Sequence, residues 1–215
     1  MLQVRINDIQ LPSDSEVTAW RREFAASCCV HLPRFFDARL LAWLRAQLAS
    51  ARFQERVHKD LVPPAIDLGL ADERLLAMIT TIVNDGRLFA IVRAISGCDP
   101  IGCFNGIVYR MEPRPDHCDT WHSDMDGNRM VTLSVNLGDP YDGGVLRIRD
   151  TRSNRVLHEV ANTGPGDAIL FALGDQLEHH VGAVTGTSTK MALAGWFQRS
   201  PAALETLRAA RGVPR

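Results

Sequence analysis

Residues 1 to 16, MLQVRINDIQLPSDSE, contain no long apolar run, because Arg5, Asp8 and Asp14 interrupt it. Neither a secretory leader nor a membrane span is expected there, and the reading is a cytoplasmic protein. An excess of one charge is also missing. Lys plus Arg number 24 against 25 Asp plus Glu, a formal net charge of −1, so no general attraction to nucleic acid or an anionic membrane is expected. Paired cysteines are absent as well: the five cysteines are an odd number, Cys28 and Cys29 are adjacent, and no Cys-x-x-Cys spacing occurs. That argues against a disulfide framework or a thiolate zinc site and leaves reduced, mostly buried thiols. There is no internal repeat, no low-complexity tract and no stretch with the composition of a domain linker.

What is present is ordinary globular material. Apolar residues make up 46% and charged residues 23% of 215 positions, enough to bury a core without staples, and residues 1–215 read as a single domain. Residues 1–100 read as mostly helical support with short strands. Asp14 or Ser15 can cap a helix through Val17, Trp20, Phe24 and Ala25, and residues 28–32 then read as a short buried strand. Asp37 caps a clearer helix, in which Leu40, Leu41, Leu44 and Leu48 share one face. Residues 71–83 and 87–95 supply two further helices, punctuated by Asp85-Gly86 and Gly97.

After residue 100 the pattern changes to short β-rich runs at 106–111, 120–124, 130–137, 145–149, 156–160, 168–172, 179–184 and 190–197. Turn residues separate them, among them Asp126-Gly127-Asn128, Asp142-Gly143-Gly144 and Gly164-Pro165-Gly166-Asp167. Eight strands so spaced predict a mainly β fold: a double-stranded β-helix (a cupin-like jelly roll) over residues 101–200, packed against the N-terminal helices.

Three His-x-Asp pairs occur in the chain, at His58 and Asp60, His117 and Asp119, and His122 and Asp124. His58 lies in the helical half. His117 follows Pro113 and Pro115, which disfavour strand pairing. His122 and Asp124 sit in the run expected to be a strand, where positions i and i+2 project from one face and can reach one ion. A second histidine from His179-His180 would complete two histidines and one carboxylate, the facial set used by non-haem Fe(II) oxygenases. If that segment is a strand, only one of the two faces the site. Lys190 opens the last run on the same face as Ala192, Ala194 and Trp196. A lysine turned into a roll requires an anion to offset its burial, and a bound dicarboxylate would supply one.

From about Val108 to Phe197 the chain resembles the 2-oxoglutarate and Fe(II)-dependent dioxygenase superfamily, in particular its prolyl-hydroxylase-like branch. The resemblance is carried by TrpHisSerAsp (121–124), Arg129 and the run after it, TyrAspGlyGlyValLeuArgIle (141–148), GlyAspAlaIleLeuPhe (166–171), HisHisValGlyAlaVal (179–184) and LysMetAlaLeuAlaGlyTrpPhe (190–197). It implies that His122, Asp124 and His179, rather than His180, are the metal ligands. It also implies that Lys190 pairs with the C5 carboxylate of 2-oxoglutarate, with Tyr109, Ser134 and Asn136 as further contacts to the cosubstrate. The eleven-residue step from His179 to Lys190 implies a slightly long connecting turn. A carboxylate at 124 argues against halogenation, which needs a small residue there.

The activity so implied consumes dioxygen and 2-oxoglutarate, with ascorbate added in vitro. It hydroxylates an unactivated C–H of a small molecule, amino acid or peptide and releases succinate and CO2. The segments 113–120 and 53–67, the latter with Arg56, Lys59, Asp60 and Asp67, are candidates for the pocket mouth. The rival readings are a cupin-like metal-binding isomerase or small-molecule sensor that does not use 2-oxoglutarate, and a metal-free interaction domain.

Overall fold

Capping side chains and turns set the element boundaries. The computed structural model describes residues 1–59, 64–161 and 163–199. Its first half runs β1 (Gln3–Val4), β2 (Ile9–Gln10), α1 (Asp14–Ser27), β3 (Cys29–Leu32), α2 (Ala38–Ala49), β4 (Phe53–His58), β5 (Ala65–Leu70), α3 (Glu73–Val83) and α4 (Gly86–Ser96). There follow β6 (Cys103–Met111), β7 (Asp119–His122), β8 (Arg129–Asn136), β9 (Asp142–Gly143) and β10 (Leu146–Asp150). The chain continues with β11 (Arg155–Val160), β12 (Ala168–Ala172), β13 (Leu177–Val181), β14 (Val184–Thr185) and β15 (Lys190–Gln198).

The α1 cap is Ser13, not Asp14 or Ser15. Its hydroxyl accepts from the Glu16 N–H and the Glu16 carboxylate returns to the Ser13 N–H, so two donors that the helix cannot satisfy are met reciprocally. Asp37 caps α2 as predicted, accepting from the Leu40 N–H at 2.7 Å. The third helix starts at Glu73 because Asp72 is its cap. Among the described residues no single helix is long and apolar enough to cross a membrane.

Two antiparallel sheets form the double-stranded β-helix. The larger has the order β3-β12-β8-β15-β6-β5-β4 and the smaller β11-β10-β13-β7. Period-two alternation divides the larger sheet sharply. On one face Val131, Leu133, Val135, Leu193 and Phe197 join Leu40, Leu44, Ile79, Val83, Leu88 and Ile95 of the helices in a single buried cluster. On the other face Thr132, Ser134, Asn136, Lys190, Ala192 and Trp196 line a cavity. The helical half therefore packs on the outer face of the roll, where burial of apolar area stabilises it.

Two expectations need correction. The strand expected over 120–124 ends at His122, with Asp124 beyond it in the connection to β8. The run 179–184 breaks into β13 and β14, because the chain leaves the smaller sheet at Gly182. The hairpin β4–β5, within a segment treated only as a pocket border, extends the larger sheet through pairing of Leu68 and Gly69 with Arg110 and Tyr109.

Candidate active site

Register brings the candidate residues together. His179 lies opposite His122 across β13 and β7, and opposite Ile148 across β13 and β10. Both imidazoles thus leave the inner face of the smaller sheet side by side, with ring centroids 4.3 Å apart. Asp124, two residues beyond β7, closes the group: its Oδ2 is 3.4 Å from His179 Nε2 and its Oδ1 is 3.7 Å from His122 Nε2. One donor atom from each of the three residues lies within 4.8 Å of the others, a spacing that could hold a metal ion.

The partners of these side chains leave the right atoms available. His122 Nδ1 is 2.7 Å from the Thr120 carbonyl oxygen; a carbonyl only accepts, so Nδ1 carries the proton and Nε2 offers its lone pair. Trp196 Nε1–H donates to Asp124 Oδ2 at 2.9 Å. The Arg129 guanidinium stacks 3.6 Å over the Trp196 ring and lies 3.6 Å from Asp124 Oδ1. Burial, with Phe171 edge-on to the ring, pulls the His179 imidazole below its ordinary pKa, which favours the neutral form that can ligate. His180, on the opposite face, lies edge-on to Trp121 with centroids 4.3 Å apart, and it is absent from the cavity lining.

Lys190 is 6% exposed, and its Nζ donates to the Gly144 carbonyl oxygen at 3.1 Å. Burial pulls its pKa down to about 8, opposed by the charge of Asp119. A buried ammonium held by one neutral carbonyl fits a site that receives an anionic ligand. Gly144 makes the approach possible: its φ is +57°, and a Cβ there would meet Tyr141 Cε2 at 2.9 Å and Lys190 Cδ at 3.3 Å. The cavity around these groups has a volume of about 600 Å³, within the range of sites for small molecules.

Three comparisons bear on this arrangement. Residues 107–198 match the family described as the 2OG-Fe(II) oxygenase superfamily. The match spans less than half of the chain and marks this segment as similar to that superfamily. Among solved structures it is similar to a 2OG-Fe(II) oxygenase-family oxidoreductase from Burkholderia pseudomallei, at 15% identity and TM-score 0.68 over 93% of this chain and 96% of that one. A prolyl-4-hydroxylase from Pseudomonas putida gives 19% identity and TM-score 0.60 over 86% of this chain and 100% of its own. The epimerase SnoN from nogalamycin biosynthesis, solved with Fe3+, alpha ketoglutarate and nogalamycin RO, gives 15% and 0.63 over 86% and 84%. At these identities the likeness establishes the fold. No curated protein matches the sequence.

Within this cavity the remaining candidates differ. Tyr109 and Ser134 line it, and burial raises the Tyr109 phenol well above its usual pKa. Asn136 also reaches it, but its side chain serves the backbone: Nδ2 donates to the Thr163 carbonyl at 2.6 Å and Oδ1 accepts from the Gly138 N–H at 3.0 Å. His117 is fully buried outside the cavity, its Nδ1 accepting from the Glu112 N–H at 2.8 Å. Of the pocket-mouth candidates, Arg56, Asp67 and Asp119 line the cavity and Lys59 does not; Asp60 is outside the described residues. Sequence reading missed two cavity residues. Tyr141 lies with its ring centroid 5.6 Å from Lys190 Nζ and was legible only as part of a turn. His58 was set aside because it seemed to belong to a helical region, whereas β4 carries it to the cavity.

Proposed function

We propose that His122, Asp124 and His179 hold Fe(II), that Lys190 binds the C5 carboxylate of 2-oxoglutarate, and that the enzyme hydroxylates an unactivated C–H of a small molecule. The observation that supports this most is the combination of three metal-donor atoms within 4.8 Å and a buried lysine without an acidic partner in hydrogen-bond contact among the described residues, both facing one cavity. A cupin-like isomerase or sensor that does not bind 2-oxoglutarate gives Lys190 no anion.

Bound iron and 2-oxoglutarate would supply the oxidising chemistry, with dioxygen consumed and succinate and CO2 released. The chain's task is orientation. The Thr120 carbonyl fixes the His122 tautomer, and the Trp196 N–H takes one lone pair of Asp124 Oδ2 and fixes the carboxylate plane. Lys190 places the cosubstrate by charge, and the wall formed by Ile169, Phe171, Leu146 and Val181 excludes water. The same cavity chemistry can end in hydroxylation or another oxidation; Asp124 as a ligand leaves no vacant ligand position for a halide.

The test uses purified protein with Fe(II), ascorbate and 2-oxoglutarate. Succinate release, slow without substrate and faster with it, together with a product heavier by one oxygen atom, is the expected result. Failure of the metal-loaded protein to bind 2-oxoglutarate in calorimetry would overturn the reading.

A further inference from the structure

Besides Asp67 and His58, two charged side chains on the cavity wall have no task in the chemistry above: Arg56 on β4 and Asp119 on β7. Arg56 is held rather than free. Its Nε donates to Asp67 Oδ1 at 2.7 Å and its Nη2 to Asp67 Oδ2 at 2.6 Å, a two-point lock between directly opposed residues of the β4–β5 hairpin. His58 Nε2 braces the same carboxylate at 3.0 Å from Oδ2. Gly69 leaves the space in which the guanidinium lies, since a Cβ there would fall 2.7 Å from Arg56 Cδ and Nε. The lock uses one edge of the fork. Nη1 has no partner among the described residues, so donors remain for a ligand.

Asp119 is the complement. The nearest cationic candidate, His122 Nδ1, is 3.5 Å from its Oδ1 but directs its proton to the Thr120 carbonyl. The Asp119 carboxylate therefore receives no hydrogen bond among the described residues, although it is half-buried in the cavity wall. A cation brought by a ligand would relieve that cost. Arg56 and Asp119 line the same cavity as Tyr109.

Charge balance selects the ligand. An anion alone would meet an Arg56 already neutralised by Asp67, and would be repelled by Asp119. A cation alone would leave the Arg56 edge unused. We infer that the substrate is a free, zwitterionic α-amino acid, its carboxylate taken by the open edge of Arg56 and its ammonium group by Asp119. Its side chain is then the part presented to the metal ligands. The inference rests on the oxygenase reading for what happens to that side chain, and the cavity of about 600 Å³ suits a small molecule lying beside 2-oxoglutarate.

The experiment titrates wild-type protein loaded with Zn(II), a redox-silent stand-in, and 2-oxoglutarate. The probes are the common L-amino acids, their N-acetyl forms and their primary amides, followed through the Arg56 Nε–H and the Tyr109 and Asp119 amide signals by NMR. At least one free amino acid is expected to bind, with its N-acetyl and amide forms weaker by about 30-fold or more, the effect of leaving one member of a desolvated charge pair unmatched. Arg56→Gln should erase the preference over the amide and Arg56→Lys should keep part of it; Asp119→Asn should erase the preference over the N-acetyl form. Equal binding of a blocked form, which would point to a peptide or a neutral substrate, overturns the proposal, and so does the absence of binding by every free amino acid. If a variant does not fold, the wild-type comparison of free and blocked ligands still decides. Calorimetry on the same samples separates the two readings: no 2-oxoglutarate binding sinks the oxygenase reading, whereas 2-oxoglutarate binding without amino-acid binding sinks only this one.

Discussion

The two faces of the larger sheet are made from the same strands and do opposite work. On β8, Val131, Leu133 and Val135 face the helices, while Thr132, Ser134 and Asn136 face the cavity. On β15, Leu193 and Phe197 are fully buried in the apolar cluster, and Lys190, Ala192, Ala194 and Trp196 line the site. Stability and chemistry are thus interleaved one residue apart, and the dry face tolerates a costly feature such as a buried ammonium on the other. Neighbouring substitutions should therefore fail in different ways.

The largest contrast is expected at His179 and His180 in the smaller sheet. His179→Ala should abolish metal binding and succinate release, measured by metal analysis and product assay, while His180→Ala keeps the metal. The reverse result would move the proposed ligand by one residue. On the larger sheet, Leu133→Ala empties a fully buried position and should cost roughly 2–5 kcal/mol in denaturant unfolding. Per-molecule turnover of the folded fraction should be retained. Trp196→Phe keeps the ring under Arg129 and removes the hydrogen bond to Asp124, which predicts a loss of roughly 10–100-fold in metal affinity, read by competition with a chelator.

A further contrast concerns Lys190 and pH. Its pKa falls from 10.5 to about 8 on burial, so between those values the unfolded chain binds more protons than the folded one. Stability of the protein without 2-oxoglutarate should then rise with pH across that window. The rise should vanish with 2-oxoglutarate bound, which holds the ammonium charged, and in Lys190→Met. Melting temperatures of both proteins, with and without the cosubstrate, give the difference. An identical pH slope in Lys190→Met would remove the claim.

The strands were legible where polarity alternates cleanly between turn residues, as in β8 and β15, and the helices where leucines repeat on one face, as in α2. The hairpin strand β4 was not, because FQERVH leaves no fully buried position and so carries no alternation to read. Its charged residues were noticed but their face could not be assigned, which is why the Arg56–Asp67–His58 group escaped. Lys190 was legible from its phase with Ala192, Ala194 and Trp196. Asp124 was placed next to His122 by strand geometry, although the irregular connection after β7 supplies it. Asn136 shows the opposite limit: its position on the inner face was readable, while its two backbone hydrogen bonds depend on Thr163 and Gly138, a loop geometry that no periodicity encodes.

Strand β15 also acts as a ruler. Lys190 and Trp196 lie six residues apart on it, roughly 20 Å of extended chain at about 3.3 Å per residue, and pairing with β6 on one side and β8 on the other holds that interval fixed. A one-residue insertion within it would turn one end of the site into the helical layer. A two-residue insertion would preserve the facing but part the two ends by one strand repeat, about 7 Å. Change in chain length is therefore accommodated in the turn before Lys190, where the connection can grow without altering the measure.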